Sequence, residues 1–256
     1  MEKRKIEEIE FHNKREIDRN SLSDVEFEKK YSNKKVYKIS DSSFVYLENT
    51  LKSLSKDKIC LDYCCGLGNT SLNLYRYGAK KVYGIDIAEK EVETAKNALR
   101  ENGFDDSGIV VGDAEFTNFD DNQFDLIVCI GVLHHLDVNK AFKELNRILK
   151  PGGSVVAFEA LGYNPIIQAY RKLTPELRTD WEKDHILTKK EIKIAMEHFS
   201  SVKIKYFHLF NLILFPFTKS FFFKPALRFL TSIDSIILRI PFLRLMAWQM
   251  VFVLKK

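Results

Sequence analysis

A glycine-rich turn follows the first strongly apolar segment of the chain. Directly after Ile59-Cys60-Leu61, the sequence reads Asp62-Tyr63-Cys64-Cys65-Gly66-Leu67-Gly68. Glycines at such a turn let a ligand approach the backbone, and the helix that follows offers its N-terminal amides. Many nucleotides bind in this way, so the turn predicts a nucleotide-like ligand and leaves its identity open.

Two neighbouring residues argue against a dinucleotide. The third glycine of a G-x-G-x-x-G pattern is replaced by Ser71, although that glycine is needed for close packing of helix on strand. Asp62 also places a carboxylate close to the turn, where it would repel a pyrophosphate. The turn therefore favours a cationic ligand, and an NAD-linked oxidoreductase stays as the disfavoured alternative.

Further titratable side chains follow other apolar segments. They are Asp86, Asp113, the pair His134 and His135, and Glu159. Because ligands of open parallel sheets bind where the strands end, we expect these groups at one edge. A histidine there could act as a general base, since it titrates near neutrality. The alternative is that both histidines only pack or form hydrogen bonds.

The elements that would position these groups alternate between strand and helix. Residues 58 to 160 predict five strands with intervening helices, as expected for an α/β fold with a mostly parallel sheet. Residues 1 to 55 predict an N-terminal helical cap, with an apolar helical stripe of Phe44, Val45, Leu47 and Leu51. The main domain, 56 to 256, carries insertions at about 161 to 188 and 210 to 246, and two last strands at 202 to 209 and 248 to 254.

Several stretches together resemble the class I methyltransferases that use S-adenosylmethionine, in particular the small-molecule enzymes of the type 11 group. Besides the run from Asp62 to Gly68, the stretches are Gly84-Ile85-Asp86-Ile87, Gly112-Asp113-Ala114-Glu115, Phe124-Asp125-Leu126-Ile127-Val128, Leu133-His134-His135-Leu136 and Leu149-Lys150-Pro151-Gly152-Gly153. The resemblance implies a Rossmann-like sheet whose last strand is antiparallel. It also implies in-line methyl transfer to a small molecule, with S-adenosylhomocysteine as product. A cofactor-binding scaffold without activity is the alternative.

The resemblance implies roles for residues along the cofactor. Asp86 would accept hydrogen bonds from the ribose hydroxyls, with a helix N-cap as the alternative, and Asp113 beside Ala114 would meet the adenine, with a plain turn aspartate as the alternative. The remaining cofactor contacts would come from Asp62, Cys64, Gly66, Gly68, Ile87 and Ile130. Cys64 stands where the family pattern has glycine. Since cysteine disfavours positive φ, we expect an ordinary backbone conformation there.

The segment after the fifth strand is expected to cover the acceptor pocket. Its candidate contacts, together with Glu159, are Asn164, Arg171, Arg178 and His185. Solvated loop charges are the alternative for each of them. The insertion from 210 to 246 contains five basic residues against one acid, and a helical stripe of Ala226, Phe229, Leu230, Ile233, Ile237 and Ile240. Such a segment predicts either peripheral contact with an anionic membrane or a lid or homodimer face.

The composition is that of a folded globular protein, with 45% hydrophobic and 29% charged residues. The net charge of +5 is spread along the chain, which argues against a nucleic-acid partner. Neither the spacing of the four cysteines nor a ligand cluster indicates a metal. No export signal or apolar run of spanning length is visible, so a cytoplasmic location is expected.

Overall fold

The computed structural model describes residues 1 to 31 and 37 to 256. Its helices are α1 (Lys3–Ser21), α2 (Asp24–Tyr31), α3 (Asp41–Ser55), α4 (Asn69–Arg76), α5 (Glu89–Glu101), α6 (Val138–Ile148), α7 (Pro165–Leu173), α8 (Asp180–Asp184), α9 (Lys189–His198) and α10 (Phe223–Ile237). Short 3₁₀ turns occupy Leu133–His135, Pro175–Leu177, Phe210–Phe217 and Leu243–Met246. Residues 32 to 36 of the predicted N-terminal cap lie outside the described residues.

Seven strands form one sheet in the order β3-β2-β1-β4-β5-β7-β6. They are β1 (Ile59–Tyr63), β2 (Lys81–Asp86), β3 (Ile109–Val111), β4 (Phe124–Ile130), β5 (Leu149–Ala160), β6 (Ser201–Phe207) and β7 (Gln249–Lys255). Strands β1 to β5 pair in parallel, whereas β7 runs antiparallel to both β5 and β6. The α/β class and the antiparallel last strand are thereby confirmed.

The register of the sheet brings the strand ends together. Asp62 is opposite Gly84 in the β1–β2 pair, and Ile130 is opposite Phe158 in the β4–β5 pair. The residues that follow β1, β2, β4 and β5 therefore share one edge of the sheet, as the sequence predicts. The interior of β4 is apolar and buried on both faces, which explains the continuous run from Phe124 to Ile130.

Strand β5 begins at Leu149, because Leu149 already pairs with Phe124, and the chain end at Lys256 pairs with Gly152 and Gly153. One local expectation needs correction. In the stripe of α3, Leu47 and Leu51 are buried, but Phe44 and Val45 are exposed. Helix α9 begins with a capping box formed by Thr188 and Glu191, and the Asp137 side chain caps α6.

The insertion after β6 buries a helix face that overlaps the predicted one, because Ala226 and Leu230 of the predicted stripe pack, partly buried, against Phe223 and Leu227. Phe223, Leu227 and Leu238 are buried, whereas Phe229 and Ile240 from the predicted stripe are exposed. In the described ranges, no helix is both long and apolar enough to cross a bilayer. The cytoplasmic location stays a prediction.

Candidate active site

A cavity of about 820 Å³ opens at the carboxyl edge of the sheet. Its floor contains the glycine turn and the ends of β2 and β4, and its cover comes from α1, α2 and the segment from α7 to α8. Of the residues singled out in the sequence, those that line it are Cys64, Gly66, Asp86, Ile87, Asp113, Ala114, Ile130, His134, His135, Arg171 and Arg178. The cavity thus joins the expected cofactor and acceptor positions in one space.

Cys64 adopts a left-handed backbone with φ of 58°. The expectation of an ordinary conformation is therefore wrong. The turn requires this geometry because Cys65 N donates to Ile85 O at 2.9 Å and Gly68 N donates to Cys65 O at 2.9 Å. Surrounding hydrogen bonds can hold a residue in a backbone region that costs of order 1–3 kcal/mol.

Asp62 and Gly68 shape the turn from beneath and do not line the cavity. Asp62 Oδ2 accepts hydrogen bonds from Ser71 N at 2.9 Å and Ser71 Oγ at 2.7 Å. Burial raises the pKa of Asp62 to about 7, although the Ser71 hydrogen bonds oppose that rise. Gly68 is the N-cap of α4 with φ of 78°, and a Cβ there would lie 2.9 Å from Ala95 Cβ. Ser71 thus replaces the third glycine with a hydroxyl that anchors Asp62.

Asp86 faces the cavity from the end of β2. Its Oδ2 accepts from Gly66 N and its Oδ1 accepts from Ala88 N, each at 2.9 Å. Burial and the neighbouring Glu91 raise its pKa. Each carboxylate oxygen keeps a second lone pair for a ligand hydroxyl. The N-cap of α5 is Ala88, so Asp86 does not occupy the capping position itself.

Asp113 is held by a residue of the N-terminal helix. Its Oδ2 accepts from Lys5 Nζ at 2.6 Å, and its Oδ1 accepts from Glu115 N at 2.9 Å. Lys5 also pairs with Glu115 at 2.8 Å, and Arg4 pairs with Glu115 at 2.7 Å. Helix α1 is therefore fastened over the expected adenine position by charged side chains.

The two histidines contact different carboxylates. His134 Nδ1 lies 2.8 Å from Glu159, whose other oxygen accepts from the amides of Val132 and Leu133. Glu159 is almost fully buried and acts on His134 from outside the cavity lining. It fixes the orientation of that imidazole.

His135 lies between two carboxylates. Its Nδ1 is 3.1 Å from Glu8 and its Nε2 is 2.9 Å from Glu182. Burial lowers the pKa of His135, but the two carboxylates outweigh burial and raise it to about 10. This imidazole is therefore cationic at neutral pH and is a poor proton acceptor.

Residues of α1 complete the site, although the sequence analysis assigned none of them to it. His12 lies 3.0 Å from Glu91 and 3.6 Å from Glu8, and these partners raise its pKa to about 9 against the effect of burial. The charged residues Arg4, Glu8 and His12 recur every four positions. This polar stripe is the sequence signal for the contribution of α1 to the site. A search for apolar helical stripes does not detect it.

The ligand-type atoms of this cluster form two overlapping groups. Glu8, His12 and His135 make one group, and His134, His135 and Glu182 make the other, with ligand atoms within 4.8 Å of one another. Both groups share His135, and its raised pKa keeps protons on the ring nitrogens that a metal would need. The prediction that the site contains no metal stays a prediction.

The remaining candidates for acceptor contacts lie apart from the cavity. Asn164 caps α7 by accepting from the amides of Ile166 and Ile167, and its amide donates to Met246 O at 2.6 Å. His185 is exposed and stacks on Trp181 with ring centroids 3.5 Å apart. Neither side chain lines the cavity.

The sheet order and the cavity at its carboxyl edge agree with the fold that the resemblance to class I methyltransferases implies. In agreement, residues 61 to 157 match a family model described as a methyltransferase domain. The chain is 33% identical over 130 residues to sterol 4-C-methyltransferase strm-1 of Caenorhabditis elegans, covering 46% of this chain and 39% of that protein. It is 35% identical over 118 residues to a demethylmenaquinone methyltransferase of Staphylococcus saprophyticus, covering 45% and 48%.

The matched region thus spans less than half the length of these curated relatives. Among solved structures, geranyl diphosphate C-methyltransferase from Streptomyces coelicolor has a TM-score of 0.58 at 14% identity, covering 83% of this chain and 79% of that one. At this identity, the likeness shows that the two chains share a fold.

Proposed function

We propose that the protein transfers a methyl group from S-adenosylmethionine to a lipophilic small molecule. The observation that carries the proposal is the single cavity in which Asp86 and Gly66 at one side are continuous with His134 and His135 at the other. Its volume of about 820 Å³ is toward the upper end of the roughly 300–1,000 Å³ typical of ligand sites. That size suits a cofactor together with an acceptor.

The residues present fit the cofactor. Asp86 offers two carboxylate oxygens to a diol, and the small side chain of Ala114 leaves room for a flat ring beside Asp113. The negative charge of Asp86 and Glu91 suits a ligand that carries a sulfonium and an ammonium. When bound, S-adenosylmethionine supplies an electrophilic methyl group.

The cavity is rich in aromatic side chains. They are Phe11, Phe27, Tyr31, Tyr37, Tyr170 and Trp248. Such a lining favours an acceptor with a large apolar body. The curated relatives named for a sterol and for demethylmenaquinone support the same class of acceptor.

The chain's own residues align the acceptor and handle its proton. The cover of α1 and α2 keeps water from the reacting atoms, and in-line transfer depends mainly on such alignment. His134 is the better proton acceptor of the two histidines, because Glu159 engages Nδ1 and the nearest carboxylate oxygen to Nε2 is 4.0 Å away, on Glu182. This assignment replaces His135 as the first choice.

Titration calorimetry with S-adenosylhomocysteine tests the cofactor assignment. We expect Asp86→Ala to weaken binding at least about tenfold, since charge-assisted hydrogen bonds contribute about 1.5–3 kcal/mol. The matched control is Asp120→Ala, an exposed aspartate outside the cavity, which should bind as the wild type does. No binding by the wild type would contradict the proposal, and unchanged affinity in Asp86→Ala would contradict the ribose role.

Peripheral contact with an anionic membrane belongs to the same proposal. The insertion exposes large apolar side chains, among them Phe221 at 96% and Phe242 at 77%. Its one acid, Asp234, is buried and accepts from the amides of Leu209 and Phe210. The exposed charges of the insertion are therefore basic, which suits anionic lipid at roughly 1 kcal/mol per basic residue.

Co-sedimentation with vesicles tests this contact. Full-length protein should pellet with vesicles that contain anionic lipid, more weakly as salt rises, and the double variant Phe221→Ser with Phe242→Ser should stay in the supernatant. Val111→Ser, at an exposed site on the opposite edge of the sheet, is the control. If the wild type remains in the supernatant, or if it is a dimer that the double variant dissociates, the membrane contact is refuted.

A further inference from the structure

Three arginines line the acceptor end of the cavity without a carboxylate partner. They are Arg15 on α1, Arg171 on α7 and Arg178 after it. Across the two described ranges, the arginines that form ion pairs are Arg4, Arg19, Arg100 and Arg147, and none of these pairs includes the three guanidinium groups. Arg15 Nε is buried and has no hydrogen-bond partner among the same residues. A buried donor without a hydrogen bond is costly, so the retention of this one calls for an explanation.

The contacts that two of these arginines do make are with neutral groups. Arg178 Nη1 donates to the backbone oxygen of Thr174 at 2.6 Å and to its hydroxyl at 3.0 Å, and Arg171 Nη2 donates to the backbone oxygen of Glu182. These bonds cap helix ends. A guanidinium has five N–H groups, so most donors of both arginines remain for a ligand.

The positive charges of Arg171 and Arg178 also repel one another. Burial lowers the pKa of Arg171, and the positive charge of Arg178 lowers it further. Glu8 and Glu182 both pair with His135, and the negative charge of Glu182 offsets only part of the effect by raising the pKa of Arg171. A bound anion would therefore relieve like-charge repulsion.

We propose that Arg15, Arg171 and Arg178 bind an anionic group, a phosphate or a carboxylate, on the lipophilic acceptor. This inference rests on the proposed function and names the acceptor class: an amphiphile whose anionic end meets the arginines. Tyr37 and Tyr170 stand beside the arginines, and the Arg178 guanidinium lies 5.9 Å from the centre of the Tyr170 ring. The apolar body of the acceptor would lie along these aromatic rings.

The test compares three chains that differ only in their end group. Decyl phosphate, decanoate and decanol are titrated below their micelle concentrations into full-length protein saturated with S-adenosylhomocysteine. We expect one of the two anions to bind at least about tenfold more tightly than decanol, since charge-assisted pairs contribute about 1.5–3 kcal/mol. The stronger of the two anions identifies the source of the charge.

Single substitutions test whether the three arginines, and not the rest of the cavity, bind the anion. Arg15→Gln, Arg171→Gln and Arg178→Gln should each weaken binding of the preferred anion about tenfold and leave decanol and S-adenosylhomocysteine unchanged. Arg171→Lys, which keeps the charge, should retain part of the preference even if Arg171→Gln is poorly folded. Arg228→Gln, an exposed arginine of α10, is the matched control and should behave as the wild type does.

The outcomes distinguish the inference from the function on which it rests. If decanol binds as well as both anions, or if the arginine variants weaken S-adenosylhomocysteine instead, the inference is overturned while the proposed function stands. In the second case, the arginines would serve the cofactor's own carboxylate. If the wild type does not bind S-adenosylhomocysteine at all, the proposed function itself fails.

Discussion

Helices α1 and α10 are both additions to the sheet and the helices that connect its strands. Different kinds of contact hold each of them in place. Helix α1 buries charged residues, including Lys5, Glu8 and Glu16, and joins the main domain through ion pairs. Helix α10 buries Phe223 and Leu227 in an apolar cluster with Trp248 and leaves Phe229 exposed. The charged helix covers the cavity and the apolar helix faces outward, so the cover is the element that responds to pH and charged ligands.

The largest expected difference between the two helices is in their response to alkaline pH. The pKa values of His135 and His12 rise from 6.5 to about 10 and about 9. Their stabilising effect is therefore complete below pH 6.5 and is lost as pH rises toward 9 and 10. Protection factors of α1 amides, corrected for intrinsic exchange, should fall between pH 6.5 and 9.5.

Helix α10 provides the internal control for this measurement. It contains no histidine, and its one acid, Asp234, accepts from backbone amides and not from a titrating base, so its protection should change much less over the same range. Equal loss of protection in both helices would indicate global unfolding and contradict the idea that ion pairs hold α1.

A smaller effect is expected from removing one carboxylate under α1. Glu8→Ala takes away the partner of His135 and His12 and the acceptor of the Thr179 hydroxyl at 2.5 Å. Breaking a buried ion pair from one side costs about 3 kcal/mol, so the free energy of unfolding should fall by about that amount. Chemical denaturation measures this change.

Glu10→Ala is the control for that variant. Glu10 lies on the same helix but is exposed, and substitutions at such sites usually change stability by less than about 0.5 kcal/mol. If Glu8→Ala is neutral or stabilising, the ion pairs under α1 do not hold the helix in place.

The same comparison explains which parts of the molecule the sequence could predict. The strand ends at Asp86, Asp113 and His134 follow from apolar runs and turn residues, which are local signals. The role of α1 does not follow from local signals. Lys5 contacts Asp113, which is 108 residues away in the sequence, and Glu8 contacts His135, which is 127 residues away. A polar stripe such as Glu8 and His12 is normally solvated, and only tertiary structure shows that it is covered.

At Cys64 and Asn164 the structure also differs from the prediction, and in both places the cause is local. Cys64 takes a left-handed conformation because the bonds of its neighbours impose it, and residue preference alone predicts the opposite. Asn164 was a candidate substrate contact, but its side chain caps α7 and holds the insertion through Met246. Polar residues next to helix starts are thus ambiguous between capping and binding until their partners are known.

The smallest expected effect concerns the two faces of α10. Leu227→Ala should lower the free energy of unfolding by about 2 kcal/mol, because a buried leucine loses its contacts in the cluster with Phe223 and Trp248. Phe229→Ala, at a side chain 66% exposed, should change it by less than about 0.5 kcal/mol. Denaturation midpoints of both variants measure these changes in the free energy of unfolding. An equal loss in Phe229→Ala would mean that this face is covered in solution, which removes the exposed apolar surface that the membrane contact requires.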